Sequence, residues 1–154
     1  MKPPRVYIDT SVVGGCLDPE FQPASLQLFD RFRDGTLIAV VSDLLRSEIR
    51  PASQAVQAVL EGIPAAHVEE VLLTSEADDL AERYISAGVI GRKNAADALH
   101  IATATVHRVD VLASWNFKHI VNERRIHGYN AVNLLESRPL LEIKTPSEVI
   151  RYGE

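Results

Sequence analysis

The chain has 154 residues, 46% of them hydrophobic and 24% charged, with a formal net charge of -5. That make-up is too apolar for a disordered chain and too acidic for a protein that coats nucleic acid by bulk attraction, and residues 1–154 are expected to form one domain around one real core. No apolar run approaches the ~18 residues of a membrane span, the basic start leads into no signal-peptide region, and the lone Cys16 has no disulfide partner, so a cytoplasmic location with no membrane association is expected.

Residues 5–9 (RVYID) read as a short strand ending in a carboxylate. Gly14, Gly15 and the Asp18-Pro19 pair suggest a loop over 12–23, and Pro23-Ala24-Ser25 leads into a helix over 24–34 that Gly35 stops. Residues 37–41 (LIAVV) form a continuous apolar run of strand length, as expected of a strand covered on both faces. Ser42-Asp43 supplies a cap for a helix over 44–50, interrupted by Pro51, in which Glu48 borders the apolar face formed with Leu44, Leu45 and Ile49. A weaker helix over 52–60 ends at Gly62. Residues 67–73 read as a third strand, and Ser75 through Asp78 resembles a capping box that opens a helix ending at Gly88.

Asn94 is a suitable cap for the next helix and places Asp97 at its third position, on one face with Ile101 and Ala104. Its small residues allow close packing on a sheet. A strand over 109–113 follows, with Ser114-Trp115-Asn116 at its end, then a helical region to about 136, a short strand over 140–143, and a last helix capped by Thr145 with Pro146 and Glu148 in its first turn. Strands alternating with helices predict a three-layer α/β/α fold with a central, mainly parallel sheet of four to five strands. In such sheets ligands bind beyond the carboxyl ends of the strands, where Asp9 and Asn116 are expected, with Glu48 and Asp97 on helices packed nearby.

Two carboxylates about 4 Å apart repel by about 4 kcal/mol at an effective dielectric near 20. Three in one cleft therefore call for a cation, and hard oxygen ligands without a cysteine or histidine pair select Mg²⁺ or Mn²⁺ over zinc. Such an ion suits phosphodiester hydrolysis. Each residue also has a plainer reading: Asp9 as a strand-end turn residue, Glu48 as a half-exposed helix residue, Asp97 as a helix-dipole partner, Asn116 as a turn or cap.

The segments VYIDTSV (6–12), SDLLRSE (42–48), DALHIATA (97–104) and SWNFKHI (114–120) resemble, in order and spacing, a PIN domain, specifically the toxin ribonucleases of the VapC type from bacterial toxin–antitoxin pairs. The resemblance spans nearly the whole chain. It implies a PIN-like fold, cleavage of single-stranded RNA dependent on Mg²⁺ or Mn²⁺, a homodimer, and a cognate antitoxin that occupies the cleft. The acidic site maps onto Asp9, Glu48 and Asp97, and its fourth position, often aspartate, is Asn116. An amide there can ligate or orient a water but carries no charge, which leaves one or two ions open. Thr10, Ser11 and Ser114 match small hydroxyl positions that support the ligands.

Lys118, His119 and Arg46 are candidates for substrate binding, and Arg50, Arg92, Lys93, Arg124 and Arg125 offer further cations for RNA phosphates, although any one of these cations reads more readily as a solvated surface residue. His100 follows Asp97 by one helical turn and reads as a packing histidine or as a hydrogen-bond partner of the site. Trp115 reads as buried beside the strand end or as a base-stacking surface. The competing functions are a non-catalytic PIN-fold binding module, with Asn116 marking a decayed site, and a PIN nuclease of RNA or DNA processing without a toxin role.

Overall fold

The computed structural model describes residues 2–152. Its elements, in chain order, are β1 (Arg5–Ile8), α1 (Thr10–Gly15), α2 (Gln22–Arg33), β2 (Ile38–Ser42), α3 (Asp43–Ile49), α4 (Gln54–Glu61), β3 (Val68–Val71), α5 (Ser75–Ser86), α6 (Ala95–Val106), β4 (Val111–Ala113), α7 (Glu123–Leu135), β5 (Ile143–Lys144) and α8 (Pro146–Val149). Single 3₁₀ turns precede β3 and α6.

The five strands form one parallel sheet in the order β3-β2-β1-β4-β5. Side chains alternate across it. Val6, Ile8, Ala39, Val41, Val111 and Ala113 point into one core, against α1, α2, α3, α4 and α8. Tyr7, Val40 and Leu112 point into the other, against α5, α6 and α7. Because both faces are covered, the central strands β1, β2 and β4 are apolar along most of their length rather than alternating, while the edge strand β3 (VEEV) carries two glutamates, and the result is three layers. Among the described residues no helix is long and apolar enough to cross a membrane.

The chain starts in the middle of this sheet. From β1 it builds outward through β2 and β3, then returns to lay β4 and β5 on the other side of β1. The strand order therefore reverses between β1 and β4, and a crevice opens beyond their carboxyl ends. Asp9 and Ser114 are the first residues past those two ends.

Local differences from the sequence reading have physical causes. The glycines at 14 and 15 do not make a loop: the Asp9 side chain caps α1 by accepting the Val12 N–H, and a short helix follows directly from the strand. Gly15 sits in that helix because nothing larger fits. A Cβ there would stand 2.6 Å from Ser25 Oγ and 2.8 Å from Trp115 Nε1. α2 starts two residues earlier than expected, since Pro23 is accommodated in its first turn. Thr74, not Ser75, caps α5. Asn94 precedes α6 but its side chain makes no capping bond, because a 3₁₀ turn feeds the helix directly. The last strand falls at 143–144 rather than 140–143, and the Thr145–Glu148 capping box forms as expected.

Candidate functional site

Asp9 is 4% exposed, and hydroxyl groups hold its carboxylate. Oδ1 accepts from Ser11 Oγ at 2.6 Å and from the Val12 N–H at 3.3 Å, and Oδ2 accepts from Ser114 Oγ at 2.6 Å. Ser11 Oγ also accepts the Trp115 N–H, and Ser114 Oγ the Asn116 N–H, so the loop after β4 is laced to the loop after β1 through this one carboxylate. Burial pushes the Asp9 pKa up, against the pull of Ser11, Ser114, the His100 ring and the Val12 N–H.

Asp97 occupies the third position of α6, half-buried, facing the same crevice. Burial raises its pKa and the charge of Asp9 adds to the rise, while His119, His100 and the Asn116 amide oppose it. Asn116 Nδ2 lies 3.3 Å from Asp97 Oδ2. The amide orientation follows from its neighbours: Oδ1 accepts the N–H groups of Lys118 at 3.2 Å and His119 at 2.9 Å, which leaves the NH₂ to face Asp97. Asn116 thus offers the acidic site a donor, with its oxygen engaged elsewhere.

Glu48 reaches in from α3. Its Oε1 accepts from Thr10 Oγ1 at 2.6 Å and meets His100 Nε2 at 2.7 Å. Partial burial would raise the Glu48 pKa, but the His100 hydrogen bond and charge, with Thr10, outweigh it and hold the carboxylate below its usual range. A carboxylate only accepts, so Nε2 of His100 carries the proton in the neutral ring and Nδ1 accepts from the Tyr7 hydroxyl at 2.6 Å. Burial raises the Tyr7 pKa far enough that its hydroxyl stays protonated. Ser42 Oγ, 2.9 Å from the Tyr7 hydroxyl, accepts the Leu45 N–H and, because the Tyr7 proton is given to His100, donates its own proton to the tyrosine oxygen. A buried chain from Ser42 through Tyr7 and His100 to Glu48 therefore has one consistent direction of donation.

All four residues of the expected acidic set border the crevice, and Thr10, Ser11 and Ser114 each bond a carboxylate of that set. Tyr7, Ser42 and His100 are the functional-looking residues that the sequence reading missed or placed second. The spacing of Asp97 and His100, one helical turn apart, is the one signal that could have promoted the histidine. Lys118 and His119 follow the site directly. Arg46 lies elsewhere: it pairs with Glu70, beside a separate small cavity lined by Ile49, Arg50, Gln57 and Glu61. Arg92 pairs with Glu82. Trp115 is half-buried, donating from Nε1 to Ser25 and stacked on Phe21 at 4.5 Å. Cys16 is buried, its thiol pKa pushed up to about 11 by burial.

The donor set fits a hydrated hard cation better than a closed cage. Asp9 and Asp97 are desolvated, mutually repelling, and form no ion pair with lysine or arginine among the described residues. Yet no three acidic, histidine or cysteine side chains among those residues converge as a ready-made metal cluster. Mg²⁺ meets this description, since it keeps several waters and is bound through one or two carboxylates with the substrate phosphate.

Several solved structures share the architecture. The VapBC2 structure from Rickettsia felis, bound to a DNA fragment from their promoter, matches with a TM-score of 0.57 at 10% identity over 92% of this chain and 98% of that one. FitAcB from Neisseria gonorrhoeae matches with a TM-score of 0.56 at 15% identity, over 92% of this chain and 97% of that one. VapC20 from Mycobacterium tuberculosis, a sarcin–ricin loop cleaving toxin, matches with a TM-score of 0.53 at 14% identity, over 87% and 99%. At these identities the likeness shows the fold, a three-layer PIN-like α/β/α arrangement spanning nearly the whole chain. No protein-family model matches the sequence, and no curated protein matches it.

Proposed function

We propose that this protein is a divalent-metal-dependent endoribonuclease of the VapC toxin type, hydrolysing phosphodiester bonds in single-stranded RNA. The observation that carries the reading is the placement of Asp9 just past β1, and of Asp97 in the first turn of α6 and bonded to Asn116 just past β4, at the switch point of the sheet, with no lysine or arginine paired to either carboxylate among the described residues. Four segments in the order of a VapC-type PIN domain and the shared fold with a toxin described as cleaving the sarcin–ricin loop support the same reading.

Asp9 and Asp97 would hold Mg²⁺ or Mn²⁺ with waters completing its shell, and Glu48 would join them from α3, since the three do not stand as a ready-made cluster. When bound, such an ion polarises the phosphoryl oxygen and supplies a nucleophilic water at neutral pH. The protein's own part is orientation. Ser11, Ser114 and the Val12 N–H fix both oxygens of Asp9, and the Asn116 amide fixes Asp97. Thr10 and His100 fix Glu48 through Oε1, while its other oxygen makes no hydrogen bond among the described residues. With a lowered pKa Glu48 stays ionised as a ligand and is a poor proton acceptor. In-line attack by water on the phosphodiester gives one phosphate and one hydroxyl terminus.

Purified protein incubated with single-stranded RNA should produce internal cuts with Mg²⁺ or Mn²⁺ and none in excess chelator. Cleavage that persists in chelator would defeat the metal assignment. The VapC-type reading also carries a homodimer and an antitoxin partner encoded beside the gene, tested by co-expression: rescue of a growth defect by the neighbouring small reading frame is expected. The competing reading, a PIN-fold binding module, draws on the donor that Asn116 presents in place of a ligand oxygen. It predicts no thermal shift at millimolar Mn²⁺.

A further inference from the structure

Beside the acidic site lies a cavity of opposite character. It has a volume of about 490 Å³ and is bounded by residues 87–89 after α5 and by the first turns of α7, with Lys118, Arg124 and Arg125 on its walls and no acidic side chain. Glu123, the acidic residue in the first turn of α7, is not part of the lining. In a chain of net charge -5, such a cluster runs against the overall field.

Among the described residues its three cations also lack the carboxylate partner that six arginines of the molecule have. Arg5, Arg33, Arg46, Arg83, Arg92 and Arg138 each pair with a carboxylate. Lys118, Arg124 and Arg125 form no ion pair among the described residues. The wall itself is tightly built. Arg125 Nη1 donates to the Val89 carbonyl at 2.5 Å, and α7 approaches residue 89 so closely that a Cβ on Gly128 would stand 2.8 Å from Val89 Cγ1. A mid-helix glycine costs about 0.5–1 kcal/mol relative to alanine, and here the close approach accounts for it. One contact fixes the half-buried guanidinium of Arg125 and leaves most of its five donors unassigned.

The cavity is physically joined to the acidic site. The Lys118 N–H donates to Asn116 Oδ1, and the same amide donates to Asp97. His119 lies between: partial burial lowers its pKa, Arg125, Lys118 and Lys93 lower it further, and Asp97 pulls the other way. We propose that this basic cavity binds a backbone phosphate of a nucleic-acid strand whose neighbouring phosphodiester lies at Asp97. The proposal rests on the nuclease reading only for that second phosphate; anion binding by the cavity stands without it.

The test is binding of a short fluorescein-labelled single strand, as RNA and as DNA of the same sequence, followed by anisotropy in excess chelator so that nothing is cleaved. Lys118→Ala and Arg124→Ala should each weaken binding several-fold and lower the slope of log affinity against log salt by about 0.7 per residue. Arg33→Ala, outside the cavity, should change neither. Equal losses for RNA and DNA assign the cavity to the phosphate, whereas loss for RNA alone assigns it to the ribose and overturns a phosphate subsite. Unchanged binding and slope in the double variant also overturn it, as does loss of polyglutamate binding alone, which would make the cavity a dock for an acidic protein segment. A protein that binds with the stated slope yet never cleaves defeats the nuclease reading and leaves the subsite standing.

Discussion

Nε2 of His100 stands 2.7 Å from Oε1 of Glu48, and the ring that makes this contact is 2% exposed and held from behind by the Tyr7 hydroxyl. The histidine therefore orients a carboxylate of the acidic site rather than facing the crevice itself. Removing partners of this kind, one step behind a metal ligand, typically lowers metal affinity or activity by about 10–100-fold. His100→Ala is expected to reduce RNA cleavage by that factor, and Tyr7→Phe by less, because the ring remains while its tautomer loses its determinant. Each should cost about 1–3 kcal/mol in urea unfolding through the buried polar groups left unpaired. Full activity in both would remove the orienting role.

Asp97→Asn should lower cleavage by at least about 10³-fold, the size of several kcal/mol of lost charge stabilisation. In chelator the same substitution should raise the melting temperature, since it relieves the desolvation and the repulsion from Asp9 that lift the Asp97 pKa. A chain of this length gains about 2–4 °C per kcal/mol relieved. A fall in melting temperature would show that the charge is already neutralised within the protein.

That stabilisation should depend on pH in a definite sense. The folded-state pKa of Asp97 is raised above 3.8, so its contribution to stability is fully present below 3.8 and is lost as pH rises through the raised value. The melting-temperature advantage of Asp97→Asn is therefore greatest at neutral pH and closes as the solution is acidified. Glu48 runs the other way: its stabilisation holds above 4.5 and disappears as pH falls through its lowered pKa. Melting curves of wild type, Asp97→Asn and Glu48→Gln in chelator across the acid range separate the two.

Mn²⁺ should stabilise the wild type by mass action, by about 2.7 kcal/mol at a hundredfold excess over its dissociation constant, and so raise its melting temperature. Asn116→Asp replaces a donor facing Asp97 with a fourth carboxylate at the acidic site. It is expected to lower the melting temperature in chelator and to increase the shift produced by Mn²⁺. An unaltered shift would show that position 116 lies outside the reach of the ion.

Gly15→Ala should destabilise the fold by about 1–3 kcal/mol, because the added carbon meets Ser25 and Trp115 at less than contact distance. Gly14→Ala, with nothing within 4 Å of its Cβ position, should be neutral or slightly stabilising. Thermal melts of the pair check the close approach of α1 to Trp115.

The alternation of strands and helices was legible because strands covered on both faces read as continuous apolar runs, as in IAVVS of β2. The acidic set was legible as residue types at strand ends and in a first helical turn. What escaped was the conformation and direction of side chains. A capping aspartate outweighs two glycines at the start of α1, and nothing in GG by itself reveals that Trp115 crowds the second one. Tyr7 reads as a strand core residue, and its hydroxyl finds a histidine 93 positions away. The role of Asn116 depends on which end of its amide faces Asp97, and that is set by two backbone N–H groups beyond it.

Asp9 is committed twice, as the cap that starts α1 and as the junction that ties the loop after β4 to the loop after β1. A copy of this gene freed from any requirement for activity would still be under pressure to keep it, since folding alone uses both of its oxygens. Asp97, whose charge is a burden to the bare fold, would be among the first to drift. Under the proposed nuclease reading, position 97, and not the aspartate after the first strand, is then where an active copy is told from a retired one.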